Sequence, residues 1–129
     1  MFKSILVTGG AGFIGSNFVR LIADEHPDSA VTVLDKLTYA GNLENIADLI
    51  DAGRVRFVKG DICDPAATRS AMDGVEAVFN FAAETHVDRS IEEATTFIET
   101  DIDGTYNLLR HARELGVARY IQVSTDEVY

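Results

Sequence analysis

The sequence predicts an open parallel β-sheet covered by helices on both faces. Three observations lead there. Apolar runs alternate with segments of helical periodicity throughout the 129 residues. The runs are continuously apolar rather than strictly alternating, as in strands buried on both sides. A glycine-rich turn, Gly9-Gly10-Ala11-Gly12-Phe13-Ile14-Gly15, joins the first apolar run to the first helical segment. Such a chain winds with right-handed crossovers into a doubly wound α/β sheet, expected in strand order 3-2-1-4-5 and stopping after the fifth strand.

Strands are expected at Ser4–Thr8, Val31–Asp35, Val55–Lys59, Ala77–Phe81 and Arg119–Ser124. Helices are expected at Phe13–Asp24, Leu43–Asp51, Pro65–Met72 and Ile91–Leu115. Ile14, Phe18, Leu21 and Ile22 form the apolar stripe of the first helix, and Ile91, Ile98, Ile102, Leu109 and Ala112 that of the last. Pro27 cannot continue the first helix, and Gly53, Gly74 and Gly116 stand where C-caps belong. Pro65 suits a first helical turn, where its missing N–H costs nothing. Gly104 interrupts the last helix at a cost of about 1 kcal/mol against alanine. It either permits close packing or divides the segment into two helices.

The bulk numbers describe one domain, residues 1–129, with 47% hydrophobic residues. No apolar run approaches the ~18 residues of a membrane span. Cys63 is the only cysteine, so no internal disulfide can form. With no signal-type N-terminus, a cytoplasmic location is expected. The net charge of −10 disfavours nucleic acid, whose phosphates reward Lys and Arg. It leaves a dinucleotide open, because local N–H groups and a helix end can hold a pyrophosphate.

The glycine turn carries the chemistry. Gly9 permits the tight bend, Gly12 lets a pyrophosphate approach the backbone, and Gly15 lets the helix pack closely. Glycine also marks ordinary turns, but here a strand precedes, a helix follows, and Asp35 ends the next strand twenty positions past Gly15. A carboxylate there can accept both hydroxyls of an adenosine ribose.

Other strand ends should converge on the same crevice. Asp61 is open to two readings, as an acceptor for an adenine amino group or as a turn residue. Phe81-Ala82-Ala83-Glu84-Thr85-His86 follows the fourth strand, and its paired alanines leave room for a flat ligand. Thr125-Asp126-Glu127 follows the fifth. Its adjacent carboxylates should repel, which would raise at least one pKa and separate a proton donor from an acceptor; the plainer reading is a solvated acidic turn, which the glycine turn upstream disfavours. His86 lies near this crevice, whereas His111, on the last helix, reads as surface or packing. No cluster has zinc-ligand spacing.

Together these motifs resemble the extended short-chain dehydrogenase/reductase family, in its NAD-dependent epimerase/dehydratase branch. Thr8-Gly-Gly-Ala-Gly-Phe-Ile-Gly15 carries the likeness of the nucleotide loop. Asp35-Lys-Leu-Thr-Tyr-Ala-Gly-Asn42, Ala82-Ala-Glu-Thr-His-Val-Asp-Arg-Ser90 and Ser124-Thr-Asp-Glu-Val-Tyr129 resemble the branch's dehydratases. The resemblance implies a Rossmann-type domain, NAD as cofactor, a nucleotide-sugar substrate and a homodimer. It implies oxidation at the sugar's C4, loss of water across C5 and C6, and hydride return at C6.

Cofactor contacts implied by the turn and the resemblance are Gly9, Gly12, Phe13, Ile14, Gly15, Asp35, Lys36, Leu37, Thr38, Asp61, Ile62, Phe81, Ala82, Ala83, Glu84 and Thr100. Asp35 would repel a 2′-phosphate, which favours NAD over NADP. By the family pattern Thr85 and Thr125 contact substrate, Asp126 protonates the departing hydroxyl and Glu127 removes the C5 proton. Three departures stand out. No tyrosine is followed four residues later by lysine, no substrate-binding region follows the fifth strand, and Asp101 stands where the family has asparagine. These 129 residues alone are therefore expected to bind NAD weakly without turnover, and to associate through the exposed fifth strand. Two alternatives remain, a nucleotide-sugar epimerase or decarboxylase and a non-catalytic NAD-binding module.

Overall fold

A computed structural model describes residues 2–37, 42–82 and 99–123. Five strands, β1 (Ser4–Thr8), β2 (Ala30–Asp35), β3 (Val55–Lys59), β4 (Ala77–Asn80) and β5 (Arg119–Gln122), form one sheet in the order β3-β2-β1-β4-β5. All neighbours run parallel, with Ile5 opposite both Val31 and Ala77. This is the doubly wound Rossmann-type sheet expected from the sequence. The order reverses between β1 and β4, so a crevice opens at their carboxyl ends.

Continuous apolar strands feed two cores. Ile5, Val7, Val31 and Val33 point to one face, packing with Val19 and Ile22 of α1 (Phe13–Glu25) and Leu49 of α2 (Ala47–Asp51). Leu6, Leu34 and Val78 point to the other, against Met72 of α3 (Pro65–Met72) and Leu108 and Ala112 of α4 (Thr105–Leu115). Fully burying each such Val, Leu or Ile contributes roughly 1.5–3 kcal/mol. The β-strand period of two splits each run between both cores, which is why neither face reads as polar in sequence.

Helix faces differ from the expected stripes. In α1 the buried set is Gly15, Ser16, Val19, Ile22 and Ala23, whereas Ile14 and Leu21 are exposed. Small residues win that face because the helix start sits against the glycine turn. In α4 the buried set is Asn107, Leu108, His111 and Ala112, and Leu109 is exposed, as is Ile102 just before the helix. A π-helical stretch, Glu99–Gly104, precedes α4. Its wider i→i+5 turn shifts the phase of any stripe counted at ordinary helical spacing. Residues 91–98, expected to begin that helix, lie outside the described residues.

The expected helix Leu43–Asp51 is a 3₁₀ turn, Leu43–Asn45, followed by α2, with Ile46 at φ −130° between them. Asn42 caps the turn by accepting from the Glu44 N–H. Asp64 likewise caps α3 through the Ala66 N–H, with Pro65 in its first turn. Gly116, at φ +72°, ends α4 as expected. Arg20 grips Asp48 at 2.7 Å and links α1 to α2. That hydrogen bond holds the Asp48 pKa down to about 2. Both groups are exposed, so the pair adds little to stability.

Candidate functional site

The turn after β1 is built from close approaches. Gly9 lies at φ +70°, and a Cβ there would sit 2.7 Å from the Ala82 nitrogen at the end of β4. A Cβ on Gly15 would sit 2.2 Å from the Gly9 carbonyl oxygen. These two positions therefore need glycine for space, and Gly9 needs it for conformation as well. The Gly12 N–H donates back to the Gly9 carbonyl at 3.2 Å, closing the bend. Gly12 is then the N-cap of α1 with no side-chain cap, and Phe13 and Ile14 follow it exposed. An uncapped helix start with unhindered N–H groups favours an anion.

Asp35 ties β2 to this turn. Its Oδ2 accepts the Ala11 N–H at 2.9 Å and its Oδ1 accepts the Leu37 N–H at 2.8 Å. An ionised carboxylate has about four lone-pair sites. One on each oxygen is occupied by backbone, which leaves about one on each beyond these two bonds. Ala11 is held from its other end too, because its carbonyl accepts from the Asn42 N–H and the Asn45 side-chain amide. Leu37 lies at φ +59°, a left-handed conformation that a leucine rarely adopts. Its N–H partner on Asp35 helps hold it there.

Lys36 and Asp61 meet across the ends of β2 and β3 at 3.3 Å. Asp61 also accepts the Cys63 N–H at 2.9 Å, so it is a turn residue in this structure. Burial would raise the Asp61 pKa, but the Cys63 N–H and the Lys36 ammonium outweigh it and hold the carboxyl below its usual range. The Cys63 thiol is pushed up to about 11 by burial and by the nearby Asp61 charge.

Gly9, Gly12, Phe13, Ile14, Gly15, Asp35, Lys36, Leu37, Asp61, Ile62, Phe81 and Ala82 thus belong to segments gathered at the carboxyl ends of β1 to β4. Thr100 lies in the π-helical stretch. Thr38, Ala83, Glu84, Thr85, Thr125, Asp126 and Glu127 lie outside the described residues.

Sequence reasoning missed the polar groups that hold the crevice from below. Asn80, fully buried at the end of β4, accepts from the Thr8 hydroxyl at 2.5 Å and from the Ala82 N–H at 3.0 Å. Its amide donates to Gln122 at 2.9 Å and to Tyr120 at 3.2 Å, joining β4 to β5. One signal was available, since an asparagine ending an apolar run needs partners wherever it is buried. Asn45, which braces Ala11, gave no such signal.

The family model described as GDP-mannose 4,6 dehydratase matches residues 6–129. The dTDP-glucose 4,6-dehydratase of Streptomyces niveus is 52% identical over 97% of this chain and 38% of its own length. That of Mycobacterium tuberculosis is 50% identical over 97% and 37% respectively. A dTDP-glucose 4,6-dehydratase structure from Streptomyces venezuelae with NAD bound superposes with TM-score 0.89 at 54% identity, covering 98% of this chain and 40% of that one. A UDP-glucose 4-epimerase from Thermotoga maritima superposes with TM-score 0.83 at 33% identity, over 95% and 38%. The chain thus spans about two fifths of the length of such relatives. With the family match running from the first strand to Tyr129, and with this sheet and glycine turn, the chain belongs to the GDP-mannose 4,6-dehydratase family.

Proposed function

We propose that these residues form the NAD-binding domain of a dTDP-glucose 4,6-dehydratase, a lyase that converts dTDP-glucose to the 4-keto-6-deoxy sugar nucleotide. The observation that carries the NAD reading is the pairing of the glycine turn with Asp35. A tight glycine turn leading into an uncapped, exposed helix start fits a pyrophosphate, and a carboxylate with one open site on each oxygen fits a ribose diol. A 2′-phosphate would meet that carboxylate's charge, which favours NAD over NADP.

When bound, NAD supplies reversible hydride transfer at the sugar's C4 and C6. Residues of this chain would supply part of the rest, though not the Tyr-x-x-x-Lys base that the family uses to take the C4 hydroxyl proton. Gly9, Gly12 and Gly15 with the start of α1 would hold the diphosphate, Asp35 would hold the ribose, and Asp61 and Ile62 would border the adenine. By the family resemblance Phe81, Ala82, Ala83, Glu84, Thr100, Lys36, Leu37 and Thr38 would supply the remaining cofactor contacts. Thr85 and Thr125 bind the sugar. Glu127 removes the C5 proton, which the C4 ketone makes acidic, and Asp126 protonates the leaving C6 hydroxyl. Such proton transfers each contribute about 10²–10⁴-fold.

The dTDP-glucose assignment rests on relatives at about half identity, such as those of Streptomyces niveus and Streptomyces griseus. A homodimer fits the exposed Ile102, Tyr106 and Leu109, spaced along one side of the π stretch and α4. A cytoplasmic site fits the single cysteine. Among the described residues no helix is long and apolar enough to cross a membrane. The net charge of −10 argues against a nucleic-acid partner.

The test is product analysis by mass spectrometry. The complete protein with NAD and dTDP-glucose should yield a product lighter by one water. An isomer of unchanged mass would favour the epimerase reading that the Thermotoga maritima likeness supports. No NAD binding by calorimetry would overturn both.

A further inference from the structure

Ile62 is held from two sides by one helical segment. Its side chain packs over Gly104, where a Cβ would come 2.4 Å from both Cγ1 and Cδ1. Its carbonyl accepts from the Asn107 side-chain amide at 2.7 Å. Gly104 and Asn107 are three residues apart, at the junction of the π stretch and α4, and both are buried.

Asn107 is itself anchored. Its amide also donates to the Thr68 hydroxyl at 3.0 Å, and Thr68 is fully buried. That hydroxyl lies 2.8 Å from His111 Nδ1 and 3.1 Å from the carbonyls of Asp64 and Pro65. Arg110 can only donate, so the 3.3 Å contact makes His111 Nε2 an acceptor and leaves the hydrogen on Nδ1. Thr68 then accepts from His111 and Asn107 and donates to the helix start. Every member is satisfied, and a satisfied buried network is rigid.

This network grips the turn that carries Asp61. The Asp64 N–H donates to the Asp61 carbonyl, and Asp61 in turn accepts the Cys63 N–H. A leucine at position 107 would suit the neighbouring Leu108 and Ala112 but would leave the Ile62 carbonyl without its donor. We propose that Asn107 and Gly104 are positioning residues for adenine recognition: they fix the Asp61–Ile62 turn from the core side. This rests on the NAD reading above. Neither residue needs to touch the nucleotide. Asn107 sets the height of the turn through a main-chain carbonyl, and Gly104 sets it through the space left for a side chain.

The experiment compares NAD with nicotinamide hypoxanthine dinucleotide, in which the adenine amino group is replaced by oxygen. Calorimetry on the wild-type protein should show a preference for NAD of about tenfold, the scale of one hydrogen bond. In Asn107→Leu and Gly104→Ala the ratio should fall toward one, since the turn is released or displaced. A purely structural role would lower the melting temperature and leave the ratio alone, and that result overturns the proposal. Equal wild-type affinity for both dinucleotides also overturns it while leaving a dinucleotide site standing. No wild-type binding of either would remove the NAD reading itself. Should neither variant fold, NMR of the wild type decides: the Asn107 side-chain amide signals should shift on saturation with NAD, and unmoved signals sink the idea.

Discussion

The Ala11 N–H donates to Asp35 Oδ2 at 2.9 Å, so the acid that ends β2 is part of the turn that ends β1. Twenty-four residues apart in sequence, the two are adjacent because β1 and β2 pair in register, Thr8 opposite Leu34. One carboxylate thus ties the turn after β1 to the end of β2 through both of its oxygens.

Asp35→Asn should therefore damage stability and binding together. Asparagine keeps the shape but offers one oxygen to two N–H donors and turns its NH₂ toward the other. Leaving a buried donor unsatisfied costs about 1–3 kcal/mol. The urea midpoint should fall accordingly, and NAD affinity should drop at least tenfold. An unchanged midpoint would mean the Ala11 contact is dispensable.

Gly15→Ala separates space from conformation. The new Cβ would lie 2.2 Å from the Gly9 carbonyl oxygen, a backbone atom that cannot swing aside. Displacing α1 to relieve it should cost roughly 1–3 kcal/mol and should misplace the helix start. Gly53→Ala is the comparison: φ is +73° there, but nothing lies within 4 Å. It should cost about 1–2 kcal/mol through left-handed strain alone and leave NAD binding intact. Equal effects of both substitutions on NAD binding would show that the turn is not the binding element.

Topology was legible because it rests on signals that tertiary context reinforces. Strand-length apolar runs, Gly9 and Gly15 around the bend, and Asp35 at a strand end all carry local physical necessity. Helix faces were less legible. Gly15 and Ser16 are buried while Ile14 is exposed, because proximity to the turn outranks hydrophobicity there. Asn80, Asn107 and Thr68 were invisible as a set. Their value lies in partners 39 to 72 residues away, and no local pattern encodes those distances.

Cys63 should be a slow nucleophile. Its pKa is pushed up to about 11 by burial first, then by the Asp61 charge, with Asp103 adding to it. The thiolate is the reactive form, so near pH 8 roughly one molecule in a thousand is primed, against about a quarter for an ordinary cysteine. Alkylation by iodoacetamide should run on the order of a hundredfold slower than for an unshielded thiol. It should climb steadily to about pH 10 and speed up in Asp61→Asn. Fast labelling at neutral pH would contradict the burial and charge described at this turn.

His111 should make stability fall as solution becomes mildly acidic. Burial, then the charge of Arg110, and more weakly Arg69, lower its pKa, while Glu114 opposes them. An unfolded chain takes up the proton near pH 6.5, whereas the folded protein resists it to lower pH. The unfolded state therefore binds more protons in that window, and stability rises with pH across it. The contribution is fully present above about pH 6.5 and is lost as pH falls toward the lowered folded value. Urea midpoints measured between about pH 7.5 and 5.5 should decline for the wild type and stay nearly flat for His111→Gln. Because His111 anchors Thr68, and Thr68 anchors Asn107, the same acid limb should loosen the Ile62 turn, visible as a lower protection factor at the Cys63 amide once the slower intrinsic exchange at acid pH is divided out. A wild-type midpoint that rises on acidification would place the proton on the folded state and contradict a neutral buried imidazole.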